Sequence, residues 1–169
     1  MNSVKMTEPG ALSAEHATPG PDMPLAEPGR RRALASNIGL LVLRLGVGAR
    51  FIHFGLGKFL KGPELWAKLG GSMEFYGIHF WPALWGFMAA FSEFAGGVSM
   101  ALGLFVRPFA AMLVFTMITA SLTVGAQSGF AAAAHSTDMG IVFLSIAIMG
   151  GGDYALGRRI RVLKDRWFR

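Results

Sequence analysis

Charged and titratable side chains lie inside the apolar stretches of this chain, where hydrocarbon would surround them. Arg44, Arg50, His53 and Lys58 fall in or beside the first stretch, and Glu93 lies in the middle of the second. A charge at the centre of a bilayer costs about 2.5 to 3.5 kcal/mol on insertion scales, so such residues usually serve a function or pair with one another. The chemistry open to them is a polar pocket for a quinone headgroup, a small anion or a proton, or a structural ion pair.

The composition places the chain among membrane proteins. Of its 169 residues, 53% are hydrophobic and only 15% are charged, with a mean hydropathy of +0.46, which is more apolar than an ordinary globular domain. The basic residues cluster at the two ends, a pattern that favours anionic lipid over nucleic acid. The chain contains no cysteine, which excludes disulfides, thiol catalysis and cysteine-ligated zinc or iron–sulfur centres within it.

Three regions are predicted along the chain. Residues 1–33 are rich in proline and glycine, lack apolar periodicity, and are predicted to be a disordered tail. Residues 34–157 are predicted to form the membrane domain, and residues 158–169 a basic amphipathic segment on the inner leaflet. The run after Arg30 to Arg32 resembles a secretory signal, but it contains arginines, lacks a small-residue cleavage site and precedes further apolar runs. We therefore predict a retained first helix.

Four segments approach the roughly 20 helical residues that a hydrocarbon core about 30 Å thick requires. They are about 38–60, 81–104 and 109–127, and a fourth whose clearly apolar part is 139–152 and which could begin near Phe130. The predicted fold class is an all-α integral membrane four-helix bundle. Three spans with a re-entrant piece are the alternative.

The distribution of lysine and arginine predicts the orientation. Most of these residues lie on the side that holds both termini and the turn at Arg107, whereas Lys58, Lys61 and Lys68 lie on the other side. The positive-inside rule therefore places both termini in the cytoplasm, which requires an even number of spans. This supports four spans over three.

Glu93 is predicted to pair with an arginine of the first span. If the outer ends of the first two spans lie level, Glu93 is level with Gly48. At 1.5 Å of rise per residue, Arg44 then lies about 6 Å towards the cytoplasm and Arg50 about 3 Å towards the outside, so either could reach the carboxylate. The two arginines lie on different helix faces, and both faces carry glycines, so packing alone does not select one.

Two histidines and an aspartate fall towards the outer side of the predicted bundle. Lys58 could pair with Asp138 there, and a metal or haem site built from His53 and His135 is conceivable. These histidines are far apart in sequence and match no ligand spacing. We therefore predict no metal site.

Three short motifs occur in order along the chain. The first reads Leu-Arg-Leu-Gly-Val-Gly at 43–48 and continues as His-Phe-Gly-Leu-Gly-Lys at 53–58. The second, Glu-Phe-Ala-Gly-Gly, occupies 93–97, and the third, Ala-Leu-Gly-Leu-Phe-Val-Arg, occupies 101–107. With these motifs and this topology the chain resembles the DoxX family of small four-helix bacterial membrane proteins over about residues 40–156. After the fourth span it departs from the family pattern of Gly-x-Gly followed by Leu-Asp, since it reads Gly-Gly-Asp-Tyr-Ala-Leu-Gly.

The resemblance implies a bacterial inner-membrane protein that is linked, in some relatives, to quinone-dependent sulfur oxidation or to membrane oxidoreductase complexes that handle redox stress. By motif position it assigns Arg44 and Glu93 to an intramembrane polar pair, Lys58 to the outer mouth of the pocket and Arg107 to the cytoplasmic turn. A quinone is the cofactor that it implies, and a membrane or peripheral oxidoreductase is the partner.

The predicted function is that of a membrane subunit of a quinone-linked oxidoreductase or redox-stress complex, with an Arg/Glu polar pocket between helices. No flavin, haem or nucleotide motif is visible, so electrons must come from a partner or a soluble donor. A non-enzymatic subunit that assembles or stabilises another membrane complex is the alternative. A small-solute or proton transporter is the weaker alternative, because the spans show no inverted repeat.

Overall fold

The computed structural model describes residues 27–158, which are helical apart from short connections and include no strand. Within this range the α-helices and two 3₁₀ helices are α1 (Glu27–Leu60), α2 (Pro63–Gly70), 3₁₀ (Gly71–Tyr76), α3 (Pro82–Leu102), α4 (Val106–Ser128), α5 (Phe130–Met149) and 3₁₀ (Leu156–Arg158). The predicted all-α class is confirmed.

Three of these helices are long and apolar enough to cross a membrane, namely Gly29–Leu60, Val106–Ser128 and Phe130–Met149. They indicate a multi-pass membrane protein. The predicted second span forms α3, which has 21 residues but is not among the three. Its glycines, serines and Glu93 lower its hydropathy.

The first helix begins earlier than the sequence predicts. The sequence predicts that residues 27–33 belong to the disordered tail, but α1 already starts at Glu27. Pro28 is tolerated there because the first N–H groups of a helix have no intrahelical partner, and the arginines and alanine that follow are good helix formers. The rest of the predicted tail, and residues 159–169 of the predicted amphipathic segment, lie outside the described residues.

Helices α1 and α3 approach each other through glycines. A Cβ atom added to Gly48 would lie 2.8 Å from the carbonyl oxygen of Gly97, and one added to Gly97 would lie 2.6 Å from the backbone nitrogen of Ile52. At Gly55 the backbone of Phe94 comes closer still. Small residues allow this close packing of membrane helices. The predicted small-residue face of α3 therefore faces α1.

The connection between α1 and α3 is itself helical. It consists of α2 and the 3₁₀ helix that follows, which together we call the cap segment (Pro63–Tyr76). The backbone of Gly86 lies against that of Trp66, and the backbone of Gly70 lies against Pro82. The cap segment thus covers the first turns of α3, which project beyond the end of α1.

A tight turn joins α3 to α4 and makes them antiparallel. Gly103 ends α3 with a φ of 72°, and Phe105 adopts a φ of 50° before α4 begins. Pro108 lies in the first turn of α4, where its missing N–H group costs nothing. This agrees with the short hairpin predicted between the second and third spans.

Helix α5 is continuous from Phe130, the earlier of the predicted starting points. Its Phe143 and Ile146 are fully buried in the apolar core of the protein. The ring of Phe143 meets Phe51 of α1 edge-on, with ring centroids 4.6 Å apart. This aromatic contact brings the first and last long helices together.

Candidate functional site

Lys58 of α1 and Glu93 of α3 form an ion pair in the interior of the protein. The Lys58 Nζ lies 2.6 Å from the Glu93 Oε1, and the two side chains are 35% and 3% exposed. Gly55 brings the backbone of α1 against that of α3 beside Glu93, and Lys58 follows one turn later on the same face. The lysine therefore compensates the buried carboxylate. It does so in place of the pairing with Asp138 that the sequence suggested.

The second carboxylate oxygen of Glu93 is unpaired. Oε2 is buried and has no hydrogen-bond partner among the residues that the structure describes. An unpaired buried acceptor costs about 1 to 3 kcal/mol, and more when it is charged, so most native proteins satisfy such groups. Oε2 is thus an acceptor that no described residue uses, and the carboxylate would have to turn to present it to a ligand in the cavity.

The ion pair lies in the wall of a cavity of about 600 Å³. This volume falls within the range of small-molecule binding sites. The lining along α4 extends from Ala111 to Val124, about 20 Å at 1.5 Å per residue. The large apolar lining residues come from the cap segment, α3 and α4, and are Leu69, Met73, Trp85, Met88, Met112 and Phe115.

The cavity is partly open, and residues of α3 and α4 at its wall are exposed. Two of its lining side chains, Met88 and Phe115, also reach the outer surface and are 39% and 49% exposed. In a membrane this surface would contact lipid. An apolar ligand could therefore enter from the bilayer without crossing water.

A row of hydroxyl groups lines the α4 side of the cavity. Thr116, Thr119 and Thr123 each donate to the carbonyl oxygen four residues earlier, at 2.9 to 3.0 Å. Ser92 of α3 lies 2.8 Å from the Thr116 Oγ1. A threonine that donates its hydrogen to the backbone keeps its oxygen as an acceptor, which in Thr116 and Thr119 is engaged with the hydroxyls of Ser92 and Tyr76.

Two hydrogen bonds attach the cap segment around the cavity. The Tyr76 hydroxyl lies 3.2 Å from the Thr119 Oγ1, and the Tyr76 ring stacks on Phe115 with centroids 5.7 Å apart. At the other end of the cap, the Trp66 Nε1 donates to the Lys58 carbonyl oxygen at 3.1 Å. This bond satisfies a carbonyl that the end of α1 leaves free.

Arg44 lies away from the cavity and does not contact Glu93. Its side chain is fully buried, and its Nε donates to the Met100 carbonyl oxygen at 3.1 Å while Nη1 donates to that of Gly151. The Met100 carbonyl lies in the last turn of α3 and that of Gly151 just beyond the end of α5, near helix ends whose negative dipole stabilises a cation. The structure therefore pairs Glu93 with Lys58, whereas the sequence predicted an arginine of the first span, Arg44 or Arg50, as its partner.

The register of α1 against α3 explains this correction. With the outer ends of the two helices level, Glu93 was expected beside Gly48. In the structure Gly55 takes that place, seven residues further along α1 or about 10 Å at 1.5 Å per residue. The shift arises because α3 projects beyond α1 beneath the cap segment. It removes Arg44 from the carboxylate and brings Lys58 to it.

The remaining predicted pocket residues, Arg50, His53 and Asp138, are exposed and lie outside the cavity. The Arg50 Cζ lies 4.4 Å from the centroid of the Phe54 ring, a cation–π distance. The rings of His53 and His135 lie 6.1 and 6.2 Å from the same ring. Arg50, His53 and His135 thus surround the Phe54 ring in a separate surface cluster between α1 and α5. Within residues 27–158, no three His, Cys, Asp or Glu residues are grouped as metal ligands would be.

Arg107 lies at the start of α4, beside the turn for which it was predicted. Its Nη2 donates to the Ile148 carbonyl oxygen at 3.3 Å. It therefore ties the start of α4 to the end of α5 and has no part in the cavity.

The sequence prediction did not include the hydroxyl row or the cap segment. The signal for the first was present, since Thr116, Thr119 and Thr123 recur at the three- and four-residue spacing that places them on one face of an apolar helix. The signal for the second was the Gly-Pro pair at Gly62 and Pro63, which is typical of a helix start.

The fold and the site define an all-helical, multi-pass membrane protein with an ion pair in the wall of an apolar cavity. The DoxX family model matches residues 39–126, more than half of the chain, and the protein belongs to the DoxX family. The matched range contains every residue that lines the cavity.

A Bacillus subtilis (strain 168) protein named "Putative oxidoreductase CatD" is 33% identical to this chain over 93 residues. The alignment covers 55% of this chain and 64% of that protein, so the chain spans less than two thirds of the length of this relative. No solved structure matches the chain significantly.

Proposed function

We propose that this protein is the membrane subunit of a quinone-linked oxidoreductase or redox-stress complex, and that its cavity binds the quinone. The observation that carries the proposal is the Lys58–Glu93 pair in the wall of an apolar cavity of about 600 Å³. A quinone joins polar oxygens to an apolar ring and tail. The Lys58 ammonium suits the oxygens and the long apolar lining suits the ring and tail. The name of the Bacillus subtilis relative supports a redox role.

The proposal includes four spans, α1, α3, α4 and α5, in the bacterial inner membrane with both termini in the cytoplasm. Helix α3 is the least hydropathic of the four, but it packs against α1, α2 and α4, so its polar residues need not face lipid. The clustering of basic residues at both ends of the chain supports the orientation.

When bound, a quinone would supply reversible two-electron chemistry. The residues of this chain would hold it: Lys58 would donate a hydrogen bond to a ring oxygen, and Trp85 and Phe115 would provide aromatic and apolar contact. The chain has no cysteine to carry electrons, so the proposal assigns their supply to a partner or a soluble donor.

Binding of a short-chain benzoquinone to the purified protein in lipid nanodiscs tests this proposal. Ala120 lines the cavity, so Ala120→Phe should fill part of it and abolish binding. Ala49 is exposed on α1 and away from the cavity, so Ala49→Phe is a matched control that should bind as the wild type does. Absence of binding to the wild-type protein, or equal binding to both variants, would refute the proposal.

A second candidate function, assembly or stabilisation of another membrane complex, is favoured by the surface cluster around Phe54. Arg50, His53, His135 and Asp138 are all exposed on helices that otherwise present apolar residues. Charges that face hydrocarbon are costly, so another protein would be expected to cover them.

The lack of native cysteine allows a direct test of this second function. A single cysteine at His53→Cys should crosslink to a partner protein in native membranes, whereas one at Leu122→Cys, on the exposed surface of α4, should not. If neither position crosslinks, this candidate function is excluded for that face.

A further inference from the structure

We propose that the cavity is selective for a ligand that presents a hydroxyl group to the Lys58–Glu93 pair, and hence binds the reduced hydroquinone more tightly than the quinone. This inference rests on the proposed function, because it assumes that the cavity is a quinone site. It adds the redox form that the site recognises.

The ion pair offers a donor and an acceptor side by side. The Lys58 ammonium carries three N–H donors, of which one is used on the Glu93 Oε1 at 2.6 Å. The neighbouring Oε2 is buried and accepts no hydrogen bond from any residue in the described range. The terminal torsion of a glutamate side chain has broad energy minima, so the carboxylate can rotate and present either oxygen to a ligand.

A hydroxyl group matches this pair better than a ketone does. A hydroxyl oxygen can accept from Lys58 while its hydrogen is donated to the free Glu93 oxygen. A ketone oxygen can only accept, so it would satisfy the lysine and leave the carboxylate oxygen buried and unpaired. Sites that bind a hydroxyl in this way discriminate strongly against analogues without one.

The rest of the cavity also favours a ligand with hydrogen-bond donors. Thr123 donates its hydroxyl hydrogen to the backbone, so its oxygen adds an acceptor, while the hydroxyls of Thr116 and Thr119 are also engaged with Ser92 and Tyr76. A hydroquinone has two O–H groups and a quinone has none. A small anion suits the cavity less well, because the second oxygen of Glu93 would repel it.

The test compares three probes built on the same ring: a short-chain benzoquinone, its hydroquinone, and the dimethyl ether of that hydroquinone, in which methyl groups replace both O–H hydrogens. Binding to the full chain in nanodiscs is measured by equilibrium dialysis without oxygen. The hydroquinone should bind with a Kd about tenfold or more below that of the other two probes.

A variant reverses the expected preference. Glu93→Gln replaces the acceptor-only carboxylate with an amide that can donate to a ketone, so the quinone should gain affinity relative to the hydroquinone. Thermal unfolding of this variant shows whether it is folded. If it is not, the comparison of the three probes on the wild-type protein still decides the question.

Each outcome separates the two proposals. If neither the quinone nor the hydroquinone binds, the proposed quinone site is wrong and this inference falls with it. If both bind with equal affinity, or if the quinone binds more tightly, the quinone site stands and the hydroquinone preference is overturned. If the dimethyl ether binds as tightly as the hydroquinone, O–H donation plays no part and the inference is also overturned.

Discussion

Lys58 meets Glu93, 35 residues away in the sequence, because Gly55 lies against the backbone of α3 beside that carboxylate. Any larger residue at 55 would push α1 away from α3 at this level. The position of the ion pair thus depends on the glycine as much as on the two charged residues. The first prediction concerns this glycine.

Gly55→Ala should destabilise the protein strongly, because the added methyl group would overlap the backbone of Phe94 and neither helix can yield locally. Gly57→Ala is the matched control, since a Cβ atom at Gly57 meets nothing within 4 Å. The control should be neutral or stabilised by up to about 1 kcal/mol, the difference in helix propensity between the two residues. Thermal unfolding in detergent compares the two. Equal melting temperatures would contradict the close packing of α1 on α3.

Lys58→Met should destabilise the protein by roughly 2 to 3 kcal/mol, because it leaves a buried carboxylate without its cation. This is less than for a fully buried pair, because the Lys58 side chain is 35% exposed. The double variant Lys58→Met/Glu93→Gln should recover much of the loss, since no charge then remains uncompensated. A double-mutant cycle on the free energy of unfolding measures the coupling. Additive effects would show that the two residues do not act as a pair.

Arg44→Met should lower the free energy of unfolding by roughly 2 to 4 kcal/mol, because it leaves the carbonyl oxygens of Met100 and Gly151 without their donor. Arg44→Lys should recover only part of this, since a single ammonium cannot reproduce the fork of a guanidinium. Arg50→Met is the control. Its exposed side chain contributes one cation–π contact, so the expected loss is about 1 kcal/mol or less. A larger effect at Arg50 than at Arg44 would reverse the assigned roles.

Tyr76→Phe should loosen the cap segment, because it removes the hydrogen bond to Thr119 and keeps the aromatic stacking on Phe115. The chain has no cysteine, so Ser92→Cys introduces a single reporter in the cavity wall. A thiol reagent should label it roughly fivefold faster when Tyr76→Phe is present, which corresponds to the loss of about 1 kcal/mol. Tyr154→Phe, at the opposite end of the molecule, should leave the rate unchanged. An equal rate in all three proteins would mean that Tyr76 does not hold the cap.

The sequence predicted the helices well because apolar length and helix-end residues are local signals. The start of α5 near Phe130 and the turn before Pro108 are examples. It also predicted that Glu93 faces another helix, since the small residues of α3 share one face with it. These predictions do not depend on the axial register between neighbouring helices.

The partner of Glu93 depends on the register of α1 against α3, which apolar length and helix-end residues do not predict. A shift of seven residues in the position of α1 beside Glu93 removes Arg44 from the carboxylate and brings Lys58 to it. Each basic residue of α1 would be the partner of Glu93 in some register of the two helices. The cavity was missed for a related reason. Its walls come from four separate segments, α1, the cap segment, α3 and α4, and only their packing shows that Trp85, Met73 and Phe115 share one space.

The two ends of the molecule are fastened by different means. At one end, Arg44 ties α1 to the Met100 carbonyl of α3 and to that of Gly151 just beyond α5, and Arg107 ties α4 to α5, so side-chain hydrogen bonds join all four long helices. At the other end, the backbone of the cap segment packs closely on α3 at Gly70 and Gly86, whereas towards α4 it is held by the Tyr76 hydroxyl and ring. We therefore expect a ligand to be exchanged between the cap segment and α4, while the opposite end keeps the helices in register.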